Sequence, residues 1–252
     1  MKYLTADEIA GSHKDHARKI LQHYTGRSVR DLFAIRIFEE AIGGLAKDTP
    51  ALNVLDLGSA RGTFAGQLAA AGFNHVFGVD IDDYRAPEHT PVFAEFRIAD
   101  VSSDALPWPD GFFDAAAAWC VLPHLENPFH CIREVHRVLG PGGVFVFSTP
   151  HLASKPSIAY LKARGDFASY RPSNNHIALL PPGVVAKTAG RYFDIAAVRY
   201  HVRPKIFSGG AKSRLRKTAY ALAGKFSPRL RERLEYRWAA NVVYVLRKKG
   251  TV

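Results

Sequence analysis

From Ala51 onward the chain alternates short apolar runs with stretches whose apolar residues recur at helical spacing. LNVLDL reads as a strand, TFAGQLAAAG as a helix, HVFGVD as a strand and VFAEFRIAD as a strand at its end; FDAAAAWC is then a strand, PFHCIREVHRVLG a helix and GVFVFSTP a strand. Such alternation predicts a parallel sheet with helices on both faces. DAAAAWC has helical propensity, but its position between Gly111 and Pro123 favours a strand. After Pro150 the pattern loosens through a stretch of loop and helix rich in Pro, Ser and Asn. VVAKTAGRYF (helix), DIAAVRYHV (strand) and a closing strand NVVYVLRKK follow. Ahead of Ala51, residues 5–47 carry two helical patterns, the first opened by Thr5 with Glu8 three positions on, and Asp48-Thr49-Pro50 ends them.

A length of 252 residues suits one α/β domain with embellishments. The net charge of +11 is uneven: residues 201–252 hold 14 Lys or Arg against Glu232 and Glu235, which leaves the first 200 residues close to neutral. An anionic partner is therefore to be sought in the tail. Cys120 and Cys131 fall in core-like strand and helix, which argues against a disulfide framework and for a reducing, cytoplasmic setting. The N-terminal residues contain acids and lack an apolar signal region, and no apolar run approaches the ~20 residues of a spanning helix.

The chemistry gathers in NVLDLGSARGTFAGQLAAAGFNHVFGVDID. A strand feeding a glycine turn and a helix offers backbone N–H groups to an anionic ligand group. Dinucleotide spacing, with glycines at the first, third and sixth positions, gives Gly58, Ala60 and Thr63, a single match. First, third and fifth positions give Gly58, Ala60 and Gly62, with Asp56 two residues ahead.

DLGSARG resembles the Asp/Glu-x-Gly-x-Gly-x-Gly motif of the class I S-adenosylmethionine-dependent methyltransferases. GVDID resembles that family's second motif, RIADVSSDALPWPDGFFDAAAAWCVLPHLENP its third and fourth, and CIREVHRVLGPGGVFVFSTP the helix, Pro-Gly-Gly turn and strand that follow. The later NNHIALLPPGVVAKTAGRYFDIAAVRYH is similar to the C-terminal part of small-molecule members related to those of ubiquinone biosynthesis. The resemblance implies an α/β, Rossmann-like methyltransferase fold: a mostly parallel twisted sheet, helices on both faces and an antiparallel last strand. It also implies S-adenosylmethionine as cofactor.

On that resemblance Asp56 accepts from the cofactor's ammonium group, while Gly58 and Gly62 allow close backbone approach and loop amides from Ser59 and Ala60 meet its carboxylate. Ala60 replaces the family's middle glycine. Asp80 accepts both ribose hydroxyls, Ile81 lines the adenine, Asp100 accepts from the adenine amino group with Val101 as wall and N–H, and Trp119 walls the pocket. Asp82 and Asp83 read as solvated turn residues.

Methyl transfer from a sulfonium needs alignment, exclusion of water and, for a hydroxyl or ammonium acceptor, removal of a proton. His124 leads the candidates for that base and His176 is second; His151 reads as structural or substrate-contacting. The remaining histidines, among them His13, His16 and His23, are expected at the surface or in a lid. Where ubiquinone-type relatives carry two carboxylates able to recruit a cation, this chain has Cys120 and Pro123, so no metal is expected. Cys120 reads as a packing residue.

The domain reading is an N-terminal helical lid over 1–50 and a methyltransferase domain over 51–252 with a basic helical insertion at about 203–237. That insertion has three uses open to it: resting on the anionic inner face of a membrane, gripping the phosphates of a nucleotide-linked or nucleic-acid substrate, or forming a solvated lid. Nucleic acid ranks below membrane because no RNA-recognition motif is present. The function expected is methylation of oxygen or nitrogen on a small-molecule or lipid-linked acceptor. A non-catalytic cofactor-binding protein and a nicotinamide oxidoreductase are the rivals.

Overall fold

The computed structural model describes residues 29–45, 48–171, 174–203 and 227–250, with the isolated positions 11, 218, 220 and 222. Seven strands form one sheet: β1 (Asn53–Leu57), β2 (His75–Asp80), β3 (Phe93–Ile98), β4 (Phe113–Trp119), β5 (Leu139–Pro150), β6 (Phe193–His201) and β7 (Asn241–Lys248). Their order is β3-β2-β1-β4-β5-β7-β6. The first five pair in parallel, while β7 runs antiparallel to both β5 and β6. This is the mostly parallel sheet with an antiparallel last strand that the alternating pattern and the resemblance imply.

Among the described residues six helices accompany it: α1 (Val29–Ile42), α2 (Thr63–Ala70), α3 (Pro128–Val138), α4 (Lys155–Arg164), α5 (Pro182–Thr188) and α6 (Pro228–Trp238). On one face α1 buries Ala34, Ile37, Phe38 and Ile42, and α2 buries Ala65 and Leu68, against Val54, Ala115, Ala117, Val146 and Val243. On the other, α3 buries Cys131, Ile132, Val135 and Val138 against Leu55, Leu57, Ala116, Ala118, Phe145 and Phe147. The i, i+1, i+4, i+7 spacing of those α3 residues is the stripe of a helix packed on one side. Pro128 opens α3, and the Asn127 side chain caps it by accepting from the His130 N–H.

Ala115–Ala118 are all fully buried in β4, the central strand. Alanine favours a helix in isolation. Here burial on both faces overrides that preference, because a strand covered on both sides by helices reads as a continuous apolar run. The small side chains leave room for Phe145 and Phe147 on the neighbouring strand.

Of the sequence expectations, the first N-terminal helical pattern with Thr5 and Glu8, and His13, His16 and His23, fall outside the described residues. So does most of the basic stretch between β6 and β7; its described part is chiefly α6, capped by Ser227. Among the described residues no helix is long and apolar enough to cross a membrane. One expectation needs correcting. His201, grouped with the surface and lid histidines, is 5% exposed and stacks on Phe33 of α1 with ring centroids 4.7 Å apart. Its place at the end of β6, under α1, accounts for the burial.

Candidate active site

Strand order reverses between β1 and β4, and the crevice outside their C-terminal ends is where an open α/β sheet binds ligands. Asp56 lies near the end of β1 and Asp80 closes β2. Asp56 is 2% exposed, and its Oδ2 has no hydrogen-bond partner among the described residues. Burial first, and then the nearby charge of Asp80, hold its carboxyl well above the usual carboxylate range.

Asp80 is pushed up to about 6, chiefly by burial, against the opposing effect of two backbone donors. The Ala60 N–H donates to its Oδ2 at 2.8 Å and the Ile81 N–H to its Oδ1 at 2.8 Å. Both oxygens are thereby aimed, and each ionised carboxylate oxygen has a second lone-pair site for a hydroxyl. Beyond them Asp82 accepts from the Asp83 N–H, and Asp83 pairs with Arg85 at 2.7 Å, as turn residues do.

The glycine loop is tied to the ends of β1 and β2. The Gly58 and Ser59 N–H groups donate to the Val79 carbonyl at 2.8 and 3.3 Å, and the Gly62 N–H to the Ser59 carbonyl at 2.8 Å. The Ser59 hydroxyl donates to the Asp56 carbonyl at 2.7 Å. With the Ala60 amide on Asp80, these N–H groups serve the protein's own acceptors, because the loop folds back onto the end of β2.

The two glycines are likewise required by protein neighbours: a Cβ on Gly58 would overlap Val121 Cγ2, and one on Gly62 would lie 2.9 Å from His89 Cβ. Gly58→Ala is expected to destabilise the fold by about 3 kcal/mol, combining that overlap with the cost of a side chain in the left-handed region, where φ is 63°. Thermal unfolding should show Tm lower by roughly 6–12 °C. Ala60 also sits in the left-handed region, at φ 48°, which gives a physical reason for the glycine that the resembling motif carries there.

Farther along the crevice, Ile81 follows Asp80 and is partly exposed. Asp100 caps a turn, its Oδ1 accepting from the Ser102 N–H at 2.8 Å, while Val101 is 8% exposed in the core. Trp119 packs edge-on against Phe64 at 5.5 Å, and its indole Nε1 has no partner among the described residues.

The two leading histidines meet. His124 follows β4 on a short helical turn, Leu122–His124, and His176 comes from the loop ahead of α5; their ring centroids are 4.4 Å apart. The loop is fastened by the Ile177 and Ala178 N–H groups, both donating to the Pro123 carbonyl at 2.8 and 3.0 Å. The Nδ1–H of His124 donates to the Asn175 carbonyl at 3.3 Å, and that of His176 to the Ser169 carbonyl at 2.6 Å. A carbonyl only accepts, so in the neutral rings both lone pairs reside on Nε2, the arrangement a base needs.

His151 is different: buried, with its Nε2–H on the Tyr236 carbonyl at 2.9 Å and its pKa lowered by burial, it ties β5 to α6.

Three residues join this site that the sequence did not single out. Tyr170 stands 5.4 Å from the His176 ring and donates to the Ala178 carbonyl at 2.9 Å; burial and then the neighbouring Cys120 push its phenol up to about 12. Ser148 receives the Cys120 N–H at 3.0 Å. Asn241, 5% exposed, approaches the Cys120 thiol at 3.5 Å through Nδ2, while its Oδ1 has no partner among the described residues. A polar residue opening an otherwise apolar strand, NVVYVL, was the available signal for Asn241. Cys120, at φ 59°, is engaged with both Ser148 and Asn241.

Residues 55–147 match the family model described as a methyltransferase domain. An uncharacterized methyltransferase of Mycobacterium sp. (strain JLS) is 32% identical over 143 residues, covering 48% of this chain and 56% of that protein. The 2-methyl-6-phytyl-1,4-hydroquinone methyltransferase of Synechocystis is 32% identical over 166 residues, covering 57% of this chain and 51% of that one. The chain thus spans just over half the length of each. Among solved structures, an S-adenosylmethionine-dependent methyltransferase from Mesorhizobium loti superposes with a TM-score of 0.52 at 20% identity, over 83% of this chain and 96% of that one.

Proposed function

We infer, from the match of residues 55–147 to a methyltransferase domain on a methyltransferase-like fold, that this chain is a class I S-adenosylmethionine-dependent methyltransferase that methylates an oxygen or nitrogen of a small-molecule or lipid-linked acceptor without a metal ion. The observation that carries the reading is the buried acid pair, Asp56 with an unpartnered Oδ2 and Asp80 with both oxygens aimed by backbone N–H groups. A buried acid that the neighbouring Asp80 charge holds further from ionisation, beside a second acid whose oxygens are both aimed, fits a ligand with an ammonium group and a ribose diol. The two fit a dinucleotide poorly, since its diphosphate would bring two negative charges beside acids that already resist ionisation.

S-adenosylmethionine supplies, when bound, a methyl group on a positively charged sulfur. Asp56 would hold the ammonium end and Asp80 the ribose hydroxyls, and Ile81, Asp100 and Val101 would serve the adenine. Trp119 and Phe64 form an aromatic wall. On the acceptor side the histidine pair takes the proton from the oxygen or nitrogen through an Nε2 lone pair as that atom gains the methyl. Cys120 and Pro123, standing where relatives carry carboxylates, support a metal-independent step, because a hard cation requires oxygen ligands. The Synechocystis relative's hydroquinone with a phytyl tail agrees with a hydroxylated, lipid-like acceptor.

Incubation of the purified chain with labelled S-adenosylmethionine and a cell extract should yield a labelled small molecule or lipid heavier by one CH2 unit. Label on nothing, with S-adenosylhomocysteine still bound in calorimetry, would leave a cofactor-binding protein without turnover.

A further inference from the structure

Among the described residues two helices bury none of their residues: α4 and α6. Their sequences, KPSIAYLKAR and PRLRERLEYRW, interleave cations with large apolar residues. In α6 the apolar residues Leu230, Leu234 and Trp238 recur at four-residue spacing, and an amphipathic helix of this length draws most of its stability from covering that face. Ile158 on α4 is 36% exposed, and Leu230 and Tyr236 on α6 are 48% and 44% exposed. Ile177 and Leu179, on the loop that carries His176, are 52% and 48% exposed.

These elements are joined. Lys155 of α4 lies over the Trp238 ring of α6 at 5.3 Å. The turn after α4 holds the loop through Tyr170 to the Ala178 carbonyl and through His176 to the Ser169 carbonyl.

Charge on this face is one-sided. Between 155 and 180 stand Lys155, Lys162, Arg164 and Arg171 against Asp166. On α6 stand Arg229, Arg231, Arg233 and Arg237 against Glu232 and Glu235, and Arg231 is spent on Glu235 at 3.0 Å.

We propose that α4, α6 and the 177–179 loop form one docking surface for an anionic lipid bilayer, with Ile177, Leu179 and Leu230 entering the headgroup region and the arginines and lysines facing lipid phosphates. Charge and apolar exposure together favour a bilayer: a nucleic acid would use the cations and leave the aliphatic side chains in water, whereas an interface accepts both. The surface adjoins the acceptor side of the site, so a lipid-linked acceptor would reach His124 and His176 along the loop that inserts. In that respect the proposal rests on the methyltransferase reading.

The test is sedimentation of the full chain with phosphatidylglycerol-containing vesicles and with pure phosphatidylcholine vesicles. Binding at least about tenfold stronger to the anionic vesicles, weakened by salt, is expected. Ile177→Glu with Leu179→Glu, and separately Arg233→Gln with Arg237→Gln, should each lower it by about three- to tenfold. Equal binding to both vesicles, none to either, or wild-type binding by both double variants would overturn the proposal. So would retention on duplex DNA or on RNA in the absence of vesicle binding. Calorimetry with S-adenosylhomocysteine on the same preparations separates the readings. Bound ligand without vesicle binding sinks the surface alone, and no bound ligand sinks the function proposed for the site.

Discussion

Asp56→Asn is expected to weaken S-adenosylhomocysteine binding by about 2–3 kcal/mol, roughly 30- to 150-fold, while raising the Tm of the ligand-free protein at pH 8. Both effects come from the same atoms. In the absence of a cation, the buried Asp56 carboxylate lacks a partner at Oδ2 and faces the charge of Asp80, so ionising it costs folding energy. The amide removes that charge and with it the attraction for the ligand's ammonium group. Groups whose folded pKa is raised favour the fold most below their ordinary value, near 3.8 here, and that contribution is lost as pH rises through the folded value. The gain in Tm from the variant should therefore grow between pH 4 and pH 8.

For the unaltered protein, ligand affinity should rise with pH through about 6, where Asp80 ionises, and rise further as Asp56, held well above the usual carboxylate range, loses its proton. Calorimetry across that range provides the check. A flat profile together with undiminished affinity in Asp56→Asn would remove the acid pair from the binding site.

The sheet was legible because burial on both faces makes strands read as apolar runs, and the ends of β1 and β2 could be placed by their acids. Asp56 and Asp80 needed only the strand boundaries and the family pattern. The roles of Gly58 and Gly62 were less legible, because what fills the space beside them, Val121, His89 and Phe93, comes from other segments of the chain. A motif shows that glycine is wanted without showing what presses on it.

The approach of His176 to His124 was out of reach for a similar reason: it depends on two amides donating to the Pro123 carbonyl, and backbone acceptors carry no sequence mark. Asn241 entered through the antiparallel β7, whose first residue lies opposite Pro150 and His201 at the C-terminal ends of β5 and β6.

His124→Ala should reduce the single-turnover rate of methyl transfer by about 100-fold or more, within the range for loss of a positioned base, and change cofactor affinity by less than about twofold. His124 rides on the turn directly after β4, whereas His176 lies on a loop and packs against the first ring. His176→Ala should therefore act largely through the placement of His124, at about tenfold. Residues that act as a unit are non-additive, so the double variant should fall within about threefold of His124→Ala alone. Rapid-quench measurement with labelled S-adenosylmethionine and the identified acceptor decides the matter. Losses that multiply would make the two rings independent contributors, and full activity in His124→Ala would mean that the acceptor loses its proton elsewhere.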